Sequence, residues 1–310
     1  MGEWLEGLVP WGTEVLAGVQ TINSDWVVAL FAIFSFFGSE QFYLILLPLV
    51  YWCIDRDLGA RLAYLSMLSA WLNSVVKHLF GIPRPADARL ETPYPETSPS
   101  FPSGHAQGAI VNWGYLALAL RRRAFTILAL LMILGISFSR MVLAVHFPQD
   151  ILGGWAIGLV LMILFIWAEP RAGRWFGGLS PAAQAGLAFA GPTILIFIHP
   201  ADWLGPYPAE GAITPMAALA GLGLGMVMER AWLRFRADGP LGRRALRFLV
   251  GLVLVGIFYA GPSQLLPEEM PYALEASLRF VRYLLVGWVA GFGCPWLFVR
   301  LGLAEREEGP

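Results

Sequence analysis

Residues 124–168 of the chain read AFTILALLMILGISFSRMVLAVHFPQDILGGWAIGLVLMILFIWA. Two apolar runs, Ala124–Ser139 and Ile151–Ala168, enclose a short segment that holds an arginine, a histidine and an aspartate. A helix that crosses a hydrocarbon core needs about 20 residues, with roughly 17 as the low end. Charged side chains beside such a helix are costly in the membrane and therefore indicate function. This stretch predicts two transmembrane helices joined by a turn that carries chemistry.

Similar uncharged runs recur along the whole chain. In chain order the others are Trp26–Ser39, Gln41–Ile54, Leu62–Val76 and Ala106–Leu120, followed by runs within Trp175–Ala201, Gly211–Met228, Phe248–Pro267 and Tyr283–Val299. The first two have about 14 residues each; if they form one span or a re-entrant pair, only the N-terminus changes sides. Only 14% of the 310 residues are charged and 57% are hydrophobic, whereas a soluble domain carries about 25% charged residues. We therefore expect an all-α, polytopic transmembrane bundle of about ten helices.

This pattern divides the chain into three parts. We expect residues 1–23 to form an amphipathic segment in the membrane interface, residues 24–170 the main transmembrane core, and residues 171–310 a C-terminal transmembrane extension. The N-terminal segment places apolar side chains at near-helical spacing among glutamates: Trp4, Leu8, Trp11, Val15 and Val19. It carries no Lys or Arg between Met1 and Gln20, so it lacks the positive region of a secretory signal.

Basic residues are distributed unevenly between the two sides of the predicted bundle. When the loop Gly81–Phe101 is assigned to one side, 15 of the 21 Lys and Arg residues fall on the other. The loops His199–Glu210 and Gly261–Ser277, on the same side as Gly81–Phe101, carry none. Cytoplasmic loops are the ones enriched in Lys and Arg. We therefore expect a multi-pass protein of the cell membrane with the Gly81–Phe101 loop on the extracytoplasmic side.

Several basic residues on that side lie at the ends of consecutive apolar runs. Lys77 follows the third run, Arg84 lies in the loop beyond it, and Arg140 follows the fifth. Arginine can bind two phosphate oxygens through parallel N–H groups. Ser103 and Gly104 precede the fourth run as a turn into a helix N-terminus, where free backbone N–H groups donate hydrogen bonds to phosphate. Antiparallel neighbours would bring these ends together, so these five residues are candidate phosphate ligands.

Two histidines and an aspartate lie at the same ends. His146 and Asp150 are spaced i, i+4, on one face of the sixth predicted helix. A carboxylate at that spacing can accept the imidazole N–H, fix the tautomer and leave the other nitrogen free to attack phosphorus. His105 would then protonate the leaving alcohol and later activate water. The pattern predicts a two-step displacement through a phosphohistidine.

These residues closely resemble the signature of the type 2 phosphatidic acid phosphatase (PAP2) superfamily, which is K-x6-RP, PSGH and SR-x5-H-x3-D. The eleven matching positions are Lys77, Arg84 and Pro85; Pro102, Ser103, Gly104 and His105; and Ser139, Arg140, His146 and Asp150. All of them match in order and at the family's spacing. The resemblance covers Trp26 to Ala168 and implies a six-helix membrane core, to which this chain adds about four C-terminal transmembrane helices.

The resemblance also implies roles for the candidate residues. His146 is expected to be the nucleophile, His105 the general acid and base, and Asp150 the carboxylate that orients the nucleophile. The remaining candidates are expected to bind phosphate: Lys77, Arg84, Ser103, Gly104 and Arg140. The family works without a metal, and the sequence contains no carboxylate cluster suited to Mg²⁺, so we expect no metal site and no cofactor. The extra C-terminal spans are similar to those of the sphingosine-1-phosphate phosphatase and glucose-6-phosphatase branches. The stretch Phe42–Trp52 is similar to the sphingosine-1-phosphate phosphatase branch.

The sequence therefore predicts a phosphatase that acts on a lipid phosphate at the extracytoplasmic face. Phosphatidic acid, phosphatidylglycerol phosphate, polyprenyl diphosphates and long-chain-base phosphates are candidate substrates. The expected partners are this lipid and the bilayer; a net charge of −1 gives no indication of nucleic-acid binding, and no obligate protein partner is evident. A phosphotransferase that passes the phosphoryl group to a lipid or sugar hydroxyl is an alternative with the same first step. A transporter of anionic lipids is a remote alternative, because its site would need charges near the membrane midplane.

Overall fold

The computed structural model describes residues 3–200, 210–261 and 270–307. Within these ranges the chain forms helices joined by loops, and no β-strand is present apart from an isolated bridge between Phe235 and Arg306. Helices satisfy every backbone hydrogen bond within one segment, as a chain surrounded by lipid requires. The predicted all-α class is confirmed.

Nine helices, three of them with six residues or fewer, make up the first part of the described chain. They are α1 (Glu3–Glu6), α2 (Val9–Gln20), α3 (Asp25–Phe36), α4 (Glu40–Cys53), α5 (Arg56–Phe80), α6 (Gly104–Ala109), α7 (Tyr115–Leu120), α8 (Arg123–Val142) and α9 (Pro148–Gly177). A π-helical turn, Ile110–Gly114, joins α6 to α7. The proline-rich loop of residues 81–103 connects α5 to α6 and contains no helix, as its proline content predicts.

Five further helices follow in the rest of the described chain. They are α10 (Pro181–Phe197), α11 (Glu210–Trp232), α12 (Leu241–Ala260), α13 (Tyr272–Trp288) and α14 (Cys294–Arg300). A second π-helical turn, Val289–Gly293, joins α13 to α14.

Four helical stretches are long and apolar enough to cross a membrane: α8, α9, Gly211–Trp232 of α11, and Tyr272–Arg300 from α13 to α14. The two shortest predicted spans correspond to α3 and α4. These two helices are long and apolar enough to cross a membrane only when they are taken together. They meet at a bend of 46°, so they form either a broken span or a re-entrant loop. The protein is therefore membrane-integral and multi-pass. Length and composition support four or five spans among the described residues, so the total of ten stays a prediction.

The chain divides into two compact units, and the boundaries pass through α4, α5 and α9. The first unit comprises Met1–Leu44, Ser69–Trp167 and Pro200–Pro208, and the second Ile45–Leu68, Ala168–His199 and Ala209–Pro310. All eight predicted site residues belong to the first unit. The three-part division at residues 23 and 170 stays a prediction.

Aromatic packing holds α3, α4 and α8 in place within the first unit. The ring of Trp113 stacks on that of Phe42, with centroids 5.9 Å apart and planes 8° from parallel. On α8, Gly135 makes room for the ring of Phe34, because a Cβ at this glycine would lie 2.4 Å from Cδ1 of that ring. This close approach fixes α8 against α3 and so sets the position of its last turn, where Arg140 lies.

Small residues let α9 pack directly on the backbone of α6. A Cβ at Gly154 would lie 2.6 Å from the carbonyl oxygen of Ser103, and one at Gly158 would lie 2.9 Å from that of Gln107. Glycine at such contacts allows two membrane helices to approach closely. The starts of α6 and α9 are therefore held together.

Helix α2 lies on the first unit with one face buried. Leu16 is fully buried, whereas Trp11 is 50% exposed. At the end of the helix, the Gln20 side-chain amide donates to the carbonyls of Glu91 and Val142, at 2.7 and 3.1 Å. The amphipathic character of this segment and its position in a membrane interface stay predictions.

The second unit is built on a glycine-mediated contact between α11 and α13. A Cβ at Gly221 would lie 1.9 Å from the carbonyl oxygen of Leu284, and one at Gly287 would lie 2.1 Å from that of Ala218. Any larger residue at either glycine would separate the two helices.

Candidate active site

The predicted site residues lie at helix ends and in two connecting segments of the first unit. Lys77 lies in the last turn of α5, and Arg84 lies in the 81–103 loop. The other candidates are at the start of α6 (Ser103, Gly104 and His105), the end of α8 (Arg140), the α8–α9 turn (His146) and the first turn of α9 (Asp150).

His146 and Asp150 form a buried pair. The His146 Nδ1 atom lies 3.3 Å from Oδ2 of Asp150, and both side chains are at most 1% exposed. The same Oδ2 accepts from the backbone N–H of Phe147 at 2.8 Å and from the hydroxyl of Ser100. Because a guanidinium donates to the other ring nitrogen, Nε2, the hydrogen of the neutral His146 ring is assigned to Nδ1, which faces Asp150. The Nε2 atom is then the nitrogen that carries the lone pair.

Arg84 lies against that lone pair. Its Nη1 atom is 2.9 Å from Nε2 of His146 and 2.7 Å from the carbonyl oxygen of Val145. Its Nε atom donates to the carbonyl of Ser98 at 2.8 Å. Because the guanidinium is held by the backbone on two sides, it stays beside the candidate nucleophile.

Arg140 and Arg84 share one carboxylate, that of Glu96. Arg84 Nη2 donates to Oε2 of Glu96 at 2.5 Å, and Arg140 Nη2 donates to Oε1. Arg140 Nη1 also donates to the hydroxyl of Ser35 at 2.5 Å. Glu96 lies in the 81–103 loop and belongs to no sequence motif. The two candidate phosphate-binding arginines are therefore brought together around an anion of the protein itself.

Opposing effects set the pKa of the Glu96 carboxyl. Burial raises this pKa, but the positive charges of Arg140 and Arg84 outweigh burial and hold the pKa below its ordinary value. His105 and Lys77 act in the same direction as the arginines. Glu96 is therefore ionised at neutral pH, although solvent screens its ion pairs because 34% of the side chain is accessible.

The Ser103–Gly104 turn is tied to both neighbouring helices. The Ser103 N–H donates to the backbone carbonyl of Asp150 at 3.0 Å, and its hydroxyl accepts from Ala106 N at 3.4 Å as the N-cap of α6. The hydroxyl keeps its own proton for a further acceptor. A Cβ at Gly104 would lie 3.1 Å from Oδ1 of Asn73, so little room is left beside this glycine.

Asn73 and Gln107 form a buried amide network behind this turn. Asn73 Nδ2 donates to Oε1 of Gln107 at 2.9 Å and to the carbonyl of Pro102 at 3.3 Å. Gln107 Nε2 in turn donates to the backbone and side-chain oxygens of Ser69, at 2.8 and 2.9 Å. Sequence reasoning did not include these residues in the site. Asn73 could have been identified as a candidate because it is a polar residue inside the apolar run Leu62–Val76.

Lys77 and His105 border the site in different ways. The Lys77 ammonium donates to the carbonyls of Pro99 and Ser100. In this structure it therefore holds the part of the loop that includes Ser100, whose hydroxyl donates to Asp150. His105 is partly buried beside Gly38, where a Cβ would lie 3.0 Å from its Cδ2 atom.

The arrangement combines a buried histidine–aspartate pair with two arginines that converge on one carboxylate. Within the described residues, no group of three or more His, Cys, Asp or Glu side chains is placed to hold a metal ion. The two cysteines, Cys53 and Cys294, are free and buried in the second unit. Chemistry on an anion at the His146 ring is the reaction that these side chains support.

Comparisons with known proteins identify the family. Residues 58–174 match the PAP2 superfamily, and residues 213–306 match the PAP2 superfamily phosphatase transmembrane extension. A probable sphingosine-1-phosphate phosphatase of Dictyostelium discoideum is 24% identical over 95% of this chain and 73% of its own length. Phosphatidylglycerophosphatase B of Bacillus subtilis (strain 168) is 30% identical over 50% of this chain and 74% of its own length.

The chain also aligns in part with a solved structure. The crystal structure of the first transmembrane PAP2 type phosphatidylglycerolphosphate phosphatase from Bacillus subtilis aligns with a TM-score of 0.46 at 23% identity, over 53% of this chain and 87% of that one. The resemblance predicted from the motifs is confirmed, and sphingosine-1-phosphate phosphatases are among the relatives. The chain therefore belongs to the PAP2 superfamily, as a membrane phosphatase that carries the family's transmembrane extension.

Proposed function

We propose that this phosphatase hydrolyses a lipid phosphomonoester or diphosphate at the extracytoplasmic face of the cell membrane, without a metal, through a phosphohistidine on His146. The observation that carries this proposal is that both nitrogens of the His146 ring are engaged. Nδ1 faces Asp150 at 3.3 Å, and Nε2 faces Arg84 at 2.9 Å. The nitrogen with the lone pair is thus the one beside a guanidinium that can bring a phosphoryl oxygen to it.

In the first step, Nε2 of His146 would attack phosphorus. The N–P bond forms as the P–O bond to the lipid alcohol breaks, and His105, which takes up a proton when the anionic phosphate binds beside it, gives that proton to the leaving oxygen. Arg84 and Arg140 would stabilise the charge on the phosphoryl oxygens. Asp150 would stabilise the positive charge that the His146 ring acquires.

In the second step, water would replace the histidine. His105, now neutral, takes a proton from water while the water oxygen attacks phosphorus. The P–N bond breaks, its electron pair returns to Nε2 of His146, and inorganic phosphate leaves. His105 is then protonated again for the next substrate, so protons and charges balance over the cycle.

A membrane lipid is the substrate class that the chain favours. The candidate site residues lie at the ends of helices that include the apolar α8 and α9. The two relatives described above are named as phosphatases of sphingosine-1-phosphate and of phosphatidylglycerophosphate. The excess of basic residues in the opposite loops supports an extracytoplasmic site. We further propose that residues 24–170 form the catalytic core and that residues 171–310 form an extension of it.

The test is phosphate release from a panel of lipid monoesters and diphosphates by purified protein in detergent with EDTA. His146→Ala should abolish release, while His78→Ala, which changes a histidine outside the site, should retain it. Rapid quenching with ³²P-labelled lipid should leave acid-labile label on the wild-type protein and none on His146→Ala. Undiminished release by His146→Ala would overturn the mechanism.

A further inference from the structure

Glu96 occupies the position between the two arginines where a phosphoryl group would be bound. Arg84 and Arg140 each direct one Nη2 atom at a separate oxygen of this carboxylate. Two guanidinium groups that bridge two oxygens of one anion are arranged as they would be around a phosphate. The carboxylate therefore competes with substrate for the same donors.

The carboxylate is accessible, whereas the donors behind it are not. Glu96 has 34% of its side chain exposed, compared with 13% for Arg84 and 4% for Arg140. A ligand that reaches the site from solvent or from the lipid surface meets Glu96 before it meets either arginine. Displacement of Glu96 is therefore a condition for binding.

The loop that carries Glu96 is attached on both sides of it. Upstream, Arg89 donates to Glu14 of α2 at 2.8 Å. Downstream, Lys77 donates to the Pro99 and Ser100 carbonyls. These attachments keep the carboxylate near the arginines after it leaves them, so it can return when the product departs. An attached group of this kind competes at an effective concentration on the order of millimolar.

We propose that Glu96 is a specificity-determining residue: it is an internal anion that a phosphomonoester displaces and that a phosphodiester headgroup does not. The inference rests on the proposed function, because it concerns the same phosphate site. Specificity of this kind is a difference between two affinities. It arises here because Glu96 weakens the binding of a phosphodiester more than that of a phosphomonoester.

Charge explains the discrimination. A phosphomonoester approaches a charge of −2 near neutral pH, whereas the phosphodiester of a common phospholipid carries −1. Glu96 also carries a charge of −1, so a diester that replaces it brings no additional negative charge to the arginines. The second ester bond also leaves the diester with one free phosphoryl oxygen fewer than a monoester has. A bilayer presents many diester headgroups to an extracytoplasmic site, and an open pair of arginines would bind them.

Displacement of Glu96 would also act on the nucleophile. Arg84 contacts Glu96 through Nη2 and the His146 Nε2 atom through Nη1. When phosphate replaces the carboxylate, the same guanidinium holds the substrate beside the attacking nitrogen. The exchange of anions therefore coincides with the placement of phosphorus at His146.

The experiment compares the wild type with Glu96→Gln, which keeps the shape and removes the charge, and with Glu96→Asp, which keeps the charge but shortens the reach. Glu91→Gln is the matched control, because Glu91 is an exposed carboxylate of the same loop and contacts Gln20 through its backbone. The substrate is a lipid monoester in detergent micelles, with phosphatidylglycerol as the diester competitor. Binding is measured separately as the thermal shift caused by inorganic phosphate, which requires no turnover.

Glu96→Gln should lower KM and the half-saturating phosphate concentration about three- to tenfold. It should also make phosphatidylglycerol a competitive inhibitor, while the wild type and Glu91→Gln resist it and Glu96→Asp lies between. An unchanged or raised half-saturating phosphate concentration in Glu96→Gln would overturn the inference even if the enzyme is active. If no lipid is hydrolysed but the half-saturating phosphate concentration in the thermal-shift measurement falls as expected, the proposed function fails. The role of Glu96 as an internal anion that competes with phosphate would still stand.

Discussion

The Nη1 atom of Arg84 lies 2.9 Å from Nε2 of His146, while Nδ1 of the same ring lies 3.3 Å from Asp150. One imidazole is thus held between a cation and a carboxylate. This arrangement fixes which ring nitrogen carries the proton. It also places the lone pair of Nε2 against Arg84, so that a phosphoryl group bound to this arginine would lie beside the attacking nitrogen. Each side of the ring leads to a separate prediction.

Asp150→Asn should reduce kcat roughly 10²- to 10⁴-fold with little change in KM, because the amide can no longer stabilise a positive imidazole or fix its tautomer. The buried oxygen that accepts from Phe147 and His146 would become part of a neutral group. Steady-state phosphate release measures both constants. Asp87→Asn, which changes a loop carboxylate paired with Arg89, is the control and should behave as wild type. A kcat within threefold of wild type in Asp150→Asn would contradict the role assigned to this residue.

Arg84→Lys should reduce kcat/KM by about a hundredfold, although it preserves the charge. The guanidinium donates to the backbone at Val145 and Ser98 while it contacts His146. An ammonium on a flexible stem cannot reproduce this planar set of donors. Arg89→Lys, in the same loop but exposed, keeps a cation for the ion pairs with Glu14 and Asp87 and should change kcat/KM less than twofold. Equal effects of the two substitutions would show that only net charge matters in this loop.

The helix ends that carry Lys77, Arg140 and Asp150 could be predicted because each interrupts a long apolar run with a charge. The same reasoning could not find Glu96. A glutamate in a hydrophilic, proline-rich loop is ordinary, and its partner on α8 is 44 residues away in sequence. Only the folded chain shows that two arginines converge on it.

The direction in which side chains point also could not be predicted from the sequence. Lys77 was expected to bind phosphate, and in this structure its ammonium donates to the carbonyls of the loop. The bend of 46° between α3 and α4 also depends on tertiary packing, since each apolar run alone reads as a short span. Both features follow from contacts between segments that are distant in sequence.

Gly154→Ala should lower both activity and the thermal midpoint. A Cβ at this position would lie 2.6 Å from the Ser103 carbonyl oxygen and 3.1 Å from the Gln107 nitrogen, so α6 must move away from α9. We expect a loss of about 1–3 kcal/mol and at least a tenfold lower kcat/KM, because the Ser103 turn shifts with the helix. Gly186→Ala, where a Cβ meets nothing within 4 Å, is the matched control. Wild-type activity and stability in Gly154→Ala would show that the two helices do not depend on this contact.

The Glu96 bridge should show a specific pH dependence. Because the arginines hold the pKa of Glu96 below its ordinary value, the bridge stabilises the folded protein fully above that ordinary value, about 4.3. The stabilisation is lost only as pH falls through the lower, folded-state pKa. The thermal midpoint of wild type should thus exceed that of Glu96→Gln at pH 5–7, by an amount equivalent to less than about 1 kcal/mol for a side chain this exposed. A difference that grows as pH falls would have the wrong sign.

The proposed extracytoplasmic position of the site can be tested with single cysteines, because the two native cysteines are buried. Tyr94 lies in the 81–103 loop and is 57% exposed, and Leu241, at the start of α12, is 79% exposed. Basic loops belong on the cytoplasmic side, and Leu241 adjoins such a loop, whereas Tyr94 does not. A membrane-impermeant maleimide should therefore label Tyr94→Cys in sealed right-side-out vesicles, and label Leu241→Cys only after detergent is added. The reverse pattern would place the His146 site on the cytoplasmic face, where its substrate would have to be a lipid of the inner leaflet.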